Sequence, residues 1–234
     1  MFWIGAAVNG VTVLLAGVAG GLLGRAIPKK MGETMIGMMA LAVIYIGIDG
    51  CIADGQKMKY AALCVILSLA LGTLIGELID LDKWINKLGD LLQRKVGGKG
   101  NIAEGFVTAS LLICVGAWAI TGSIDSGVSG DHTSLIAKSV IDGVSCFVMA
   151  STLGVGVAFA GVLVFLYQGL LSLGAAALSG FLTESMIAAM GCTGSVLIVG
   201  IGFNMLGMTK LRVINAVPGI FLAIPISMLI THLL

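Results

Sequence analysis

Charge is scarce in this chain. Its 234 residues include 13 basic and 12 acidic side chains, 11% of the total, where soluble domains carry about 25%. So little charge excludes an ordinary soluble globule, and a net charge of +1 gives nucleic acid nothing to hold. Histidine is scarcer still: only His132 and His232 occur, with no HExxH, so a zinc protease or another His-rich metal centre is excluded. No GxxxxGK[ST] occurs, which excludes a P-loop ATPase. The five cysteines (Cys51, Cys64, Cys114, Cys146, Cys192) lie singly in apolar runs without a CxxC. They read as buried thiols that pack like small hydrophobes, neither disulfides nor metal ligands. No metal or cofactor is expected.

What remains is apolar and rich in glycine: 58% hydrophobic residues and 35 glycines. Glycine lets membrane helices approach closely and permits breaks where backbone lines a cavity. The expected fold is an all-α membrane protein of about eight transmembrane helices. Residues 1–24 are uncharged and long enough to cross a bilayer core of about 30 Å. With no basic residue before Arg25, this run is expected to stay as a span and not to be cleaved as a signal peptide. Its Gly17, Gly20, Gly21 and Gly24 form two overlapping GxxxG pairs, and Pro28 stops the helix. Further spans are expected at about 34–53, 60–76 and 102–121, then the helix carrying Lys138 and Asp142, a sixth span within 143–183, and spans at 186–208 and 213–234.

Residues 81–100 differ. Leu81, Trp84, Ile85, Leu88, Leu91 and Leu92 fall at helical spacing, with Lys83, Lys87, Asp90, Arg94 and Lys95 on the other face. That pattern predicts an amphipathic helix lying in the membrane interface and touching lipid headgroups. The layout is then one integral membrane domain over 1–234: a first triplet (1–80), the interfacial helix (81–100), central helices four and five (101–156) and a second triplet (157–234). Basic residues gather at 25–30, 83–99 and 210–212. That distribution is expected to orient the chain with both termini outside.

Lys138 and Asp142 sit among apolar neighbours, four residues apart and so on one helix face. Ionised groups at membrane depth are costly and usually face a bundle interior or a water-filled path. Ser145, Met149 and Thr152 continue that face as a polar stripe, preceded by a polar loop containing Asp125 and Asp131. The pair is either a binding element or a neutralising pair that only orients helices. From residue 143 to 183 there is no charge at all. The join at Gly154 and Gly156 is therefore either a tight turn at the interface or a shielded break within the membrane. Asp49 offers a second carboxylate or marks a helix end.

Shifting the chain by 153 residues lays Val43, Gly47, Ile48, Lys57, Leu69 and Ala70 on Val196, Gly200, Ile201, Lys210, Leu222 and Ala223. This pattern has two readings: spans 1–3 recur as spans 6–8, or two unrelated segments share turn chemistry. If spans 1–3 do recur, five spans apart, the copies are inverted, as in many secondary transporters.

The block at 114–157, CVGAWAITGSIDSGVSGDHTSLIAKSVIDGVSCFVMASTLGVGV, with GTLIGELIDLDKWINKLGD at 72–90, resembles the bacterial YqgA/YdfK-like membrane proteins, a family whose domain has no assigned function. The likeness covers the whole chain. Its most specific elements are GSIDSG (122–127), KSVIDG (138–143) and LGVGV (153–157). It implies a polytopic inner-membrane protein and names no substrate.

The reading that joins these features is a secondary-type transporter of a small solute or ion, not an enzyme. A Ser-His-Asp set using His132, Asp131 and a loop serine is expected to be no more than a solvated loop. The site is expected from Lys138, Asp142, Ser145, Ser151 and Thr152, the backbone of Gly154 and Gly156, Asp49 and Asn204. Glycine-rich breaks at 154–156 and 191–202 would expose backbone to the solute. The alternatives are a passive channel and a non-transporting scaffold or sensor. Glycine-rich faces would serve for homo-oligomerisation.

Overall fold

In a computed structural model of the chain, residues 3–24, 26, 28–84, 87, 102–114 and 117–233 are described. The protein is all helical among them. The helices are α1 (Ile4–Gly24), α2 (Lys29–Gly55), α3 (Ala61–Ile79), α4 (Ile102–Cys114), α5 (Ala117–Val128) and α6 (Thr133–Leu153). Then come α7 (Gly156–Leu173), α8 (Ala175–Phe181), α9 (Glu184–Met205), a 3₁₀ turn (Val213–Ala216) and α10 (Pro218–Leu233). Among the described residues seven helices are long and apolar enough to cross a membrane, the 3₁₀ turn and α10 counted together, and the bent pair α4 and α5 makes an eighth if it is one span. The interfacial helix expected at 81–100 lies almost wholly outside the described residues.

Local chemistry sets the helix ends. Asp80 turns left-handed (φ 54°) after α3 and returns its N–H to Gly76. The Thr183 hydroxyl caps α9 by accepting the Met186 N–H at 3.3 Å. Before α6, Asp131 Oδ1 accepts the Thr133 N–H at 2.9 Å. Hydrogen bonds from the Thr133 side chain and backbone hold the Asp131 carboxyl below the usual carboxylate range. α10 opens on Pro218, where a missing N–H costs nothing.

The described residues form two compact units. The first holds α1, the start of α2, and α4 to α8. The second holds the rest of α2, α3, α9, the 3₁₀ turn and α10.

In the first unit, α1 lies between α6 and α7. Lipid supplies no hydrophobic drive for helices to associate, so close backbone approach carries the packing. The glycines of α1 provide it. A Cβ at Gly17 would strike the backbone of Ala158, one at Gly20 the carbonyl of Phe147, and one at Gly24 the carbonyl of Ser151. The glycine face of α1 is thus occupied within the chain. Gly5 meets Leu135 and Gly24 meets Ser151, so α1 and α6 run parallel. Gly10 meets Gly161 and Gly17 meets Ala158, so α1 and α7 run antiparallel.

The expected fourth span is not one straight helix. Ile102–Cys114 and Trp118–Val128 diverge by 62°, and part of the stretch read as a polar loop, 122–128, is the helical end of α5. α4 begins against the start of α7, with Gly156 on Ile102 and Gly105 on Val157. α5 ends against the finish of α7, where Gly127 meets Ser172 and Ser172 donates to the Ser123 carbonyl at 2.9 Å. Together the two pieces run from one end of α7 to the other, as a single broken crossing would.

One expected break is corrected, and the join at 154–156 takes the turn form, one of its two readings. Residues 191–202 lie inside the continuous helix α9, because their glycines serve packing: Gly202 abuts Ile44 and Ala40 on α2. Residues 154–156 form a tight turn between two helices of full spanning length, with Gly154 at φ 85°, a conformation costly for any side chain. In the second unit α3 packs on α10 through Gly72 and Gly219, and α9 is the most buried span.

Candidate functional site

Asp142 sits near the middle of α6, about 14 Å along the helix from Thr133 at 1.5 Å per residue. Lys138, one turn earlier, donates to both of its oxygens at 2.7 and 2.6 Å. Each residue is only 6% exposed. The bidentate contact is the geometry a buried ion pair needs if attraction is to offset desolvation.

Two amides complete the group. Asn9 on α1 donates through Nδ2 to Asp142 Oδ2 at 2.9 Å and to Gln168 Oε1 on α7 at 3.2 Å. Both amide side chains are fully buried. Three helices of the first unit therefore converge on one chain of polar atoms: Lys138, Asp142, Asn9, Gln168. It is incompletely satisfied, since Asn9 Oδ1 and Gln168 Nε2 find no hydrogen-bond partner among the described residues. Buried polar atoms are nearly always paired, so two orphans beside an ion pair call for a reason. α4, which ends at Cys114 before the break, packs against α6.

The sequence singled out Lys138 and Asp142 and left Asn9 and Gln168 off the site. The available signal was weak but present: each is the one side-chain amide in an otherwise uncharged helix.

The rest of the expected stripe does not join the group. Ser151 and Thr152 return their hydroxyls to their own helix, to Val148 at 2.7 Å and Met149 at 2.9 Å. Such local bonds satisfy a hydroxyl without any tertiary partner. Ser145 is half-buried one turn beyond Asp142, and Met149 is fully buried apolar packing. Gly154 and Gly156 make the α6–α7 turn. Asp49 and Asn204 belong to the second unit. Asp49 is exposed on α2. Asn204 braces the loop after α9, accepting from Thr209 at 2.7 Å and Leu211 N–H at 2.9 Å and donating to the Leu211 carbonyl at 2.8 Å.

In the loop, Ser126 Oγ and His132 Nδ1 are 2.8 Å apart. The serine is fully buried, and Asp131 bonds the start of α6. This contact ties the end of α5 to the beginning of α6.

A bundle of apolar, glycine-packed helices around a buried, hydrogen-bonded ion pair defines a multi-pass integral membrane protein. The family described as "Protein of unknown function (DUF554)" matches residues 4–228, and the chain belongs to it. It is 30% identical over 224 residues to the "Uncharacterized membrane protein YdfK" of Bacillus subtilis (strain 168), covering 96% of this chain and 95% of that one. It is 31% identical over 231 residues to the "Uncharacterized protein YqgA" of Escherichia coli (strain K12), with 96% of each chain covered. No solved structure matches.

Proposed function

We propose that the protein is a secondary-type carrier of a small polar solute or ion in the inner membrane, with both termini outside and Lys138, Asp142, Asn9 and Gln168 as its binding element. One observation carries the reading. The ion pair lies halfway through a spanning helix, and α4, which ends at the break of the bent pair, packs against that helix. Discontinuous helices next to a site near the bilayer midplane are how many secondary transporters expose backbone groups to a solute. At 6% exposure the pair is occluded, which favours a carrier over a standing pore.

The same reading is supported if the two triplets are an inverted repeat. Under the shift of 153 residues, Gly10 is laid on Leu163, Gly47 on Gly200 and Ser68 on Phe221. Gly10 packs against Gly161 and Phe165, Gly47 against Val199, and Ser68 against Gly219. Each helix of the first triplet thus crosses its own counterpart within two residues of the matching position.

The test is uptake into proteoliposomes, with wild type and Asp142→Asn compared at equal insertion. Loss of flux from a protein that still inserts and stays monodisperse is the expected result. Wild-type flux in Asp142→Asn sinks the site assignment.

A further inference from the structure

The atoms left unmatched in the buried group indicate what it would hold, a step that rests on the carrier reading above. Lys138 and Asp142 neutralise each other. Asn9 Nδ2 is committed to Asp142 and Gln168. What remains is one acceptor, Asn9 Oδ1, and one donor, Gln168 Nε2, each on a fully buried side chain.

Three kinds of guest can be compared. A cation could take Asp142 and Asn9 Oδ1, but it would strip Lys138 of its counter-ion and leave an uncompensated ammonium at membrane depth. An anion on Lys138 and Gln168 Nε2 would do the same to Asp142. Unpaired charge there is strongly disfavoured. A guest carrying one charge of each sign replaces the internal pair with two ion pairs and keeps the site neutral throughout. It also occupies both orphan atoms, the acceptor beside its positive end and the donor beside its negative end.

We infer that the site binds a small zwitterion of the amino-acid type. Its ammonium sits on Asp142 and Asn9 Oδ1, and its carboxylate sits on Lys138 and Gln168 Nε2. The Lys138–Asp142 bond is the closed, empty-site arrangement that the guest opens. Size is limited on the α1–α7 side. Gly10, next to Asn9, is packed so closely on α7 that a Cβ there would lie 2.8 Å from the Gly161 carbonyl.

The experiment uses the purified full chain with glycine and L-alanine as zwitterions. N-acetylglycine is the anion-only probe, and glycinamide is the cation-only probe. Radiolabelled alanine binding is read beside thermal shift, since a ligand that binds only the folded state raises apparent stability. Binding of the two zwitterions at least tenfold tighter than of either singly charged probe is expected, with loss in both Lys138→Met and Asp142→Asn. Asn9→Leu and Gln168→Leu keep the ion pair and are expected to weaken alanine binding several-fold, so they decide the matter if the charge variants do not fold. Equal binding of N-acetylglycine or glycinamide overturns the zwitterion assignment. So does unchanged alanine binding in all four variants. A chain that moves some other solute but binds no amino acid refutes the guest and leaves the carrier reading standing. Absence of any flux, for phosphate, choline and alanine alike, refutes both.

Discussion

Asn9 and Asp142, 133 positions apart in sequence, share a buried hydrogen bond of 2.9 Å. It ties the first span to the fifth at the level of the ion pair. Asn9 also hands the group on to Gln168, so the pair is held by helices on two sides and not by α6 alone.

Removing one member of the ion pair should cost far more than removing both. A buried charge stripped of its partner typically destabilises by about 3–5 kcal/mol, whereas an apolar replacement of the whole pair is often near neutral. The expected order of thermal stability in detergent is therefore Lys138→Met/Asp142→Leu above either Lys138→Met or Asp142→Leu. The same double variant should show no flux in liposomes. A double variant that is stable and fully active would make the pair a packing device only.

The two amides should differ. Asn9→Leu removes its own orphan acceptor, but also one bond to Asp142 and the donor on which Gln168 Oε1 depends. That acceptor is left buried and unsatisfied, at about 1–3 kcal/mol. Gln168→Leu removes one acceptor but also an orphan donor, and the two effects largely cancel. Unfolding in detergent should rank Asn9→Leu as clearly weaker and Gln168→Leu as close to wild type. The reverse order would mean that the Gln168 Nε2 group has a partner of its own.

Glycine positions give a contrast of another kind. Gly20 faces the Phe147 carbonyl so closely that no Cβ fits, while nothing lies within 4 Å of a Cβ at Gly37. Gly20→Val must push α1 off α6, at about 1–3 kcal/mol for overpacking. Gly37→Ala should be neutral or stabilising by about 0.5–1 kcal/mol, the usual gain of alanine over glycine inside a helix. Melting temperatures of the two variants check this directly. Equal losses would contradict the α1–α6 packing.

Much of this architecture is legible in the sequence, because lipid imposes a simple rule: long uncharged runs must be spans. Lys138 and Asp142 stood out for the same reason, as charges where charge is expensive. Less legible were the features set by tertiary contact. The break after Cys114 follows no proline, and its neighbours GAWAIT read as an ordinary apolar run. The glycines of 191–202 looked like a break because glycine permits one; α9 runs through them unbroken, and at Gly202 α2 approaches. Ser151 and Thr152 looked like site residues because periodicity cannot tell a hydroxyl aimed at a ligand from one folded back on its own helix. Asn9 and Gln168 acquire meaning only once α1 and α7 are seen to flank α6.

The crossing assigned to α4 and α5 can be tested by labelling. Gln56 follows α2 and Asp131 precedes α6, both exposed, and Lys210 follows α9, also exposed. Three crossings separate α1 from α6 if the bent pair spans the bilayer, which puts Gln56 and Asp131 on one side and Lys210 on the other. If the pair instead dips in and returns, every later segment is inverted, and Gln56 then shares a side with Lys210 while Asp131 lies opposite. Gln56→Cys, Asp131→Cys and Lys210→Cys, made in a chain whose five native cysteines are alanine, should be labelled by a membrane-impermeant maleimide in intact cells. Reaction at 56 and 131 but not at 210 is expected, since basic residues cluster near 210 and the inner face retains them. Joint labelling of 56 and 210 with protection of 131 would make α4 and α5 a re-entrant loop. That arrangement would also require α1 and α6 to run antiparallel, against the packing of Gly5 on Leu135 and Gly24 on Ser151.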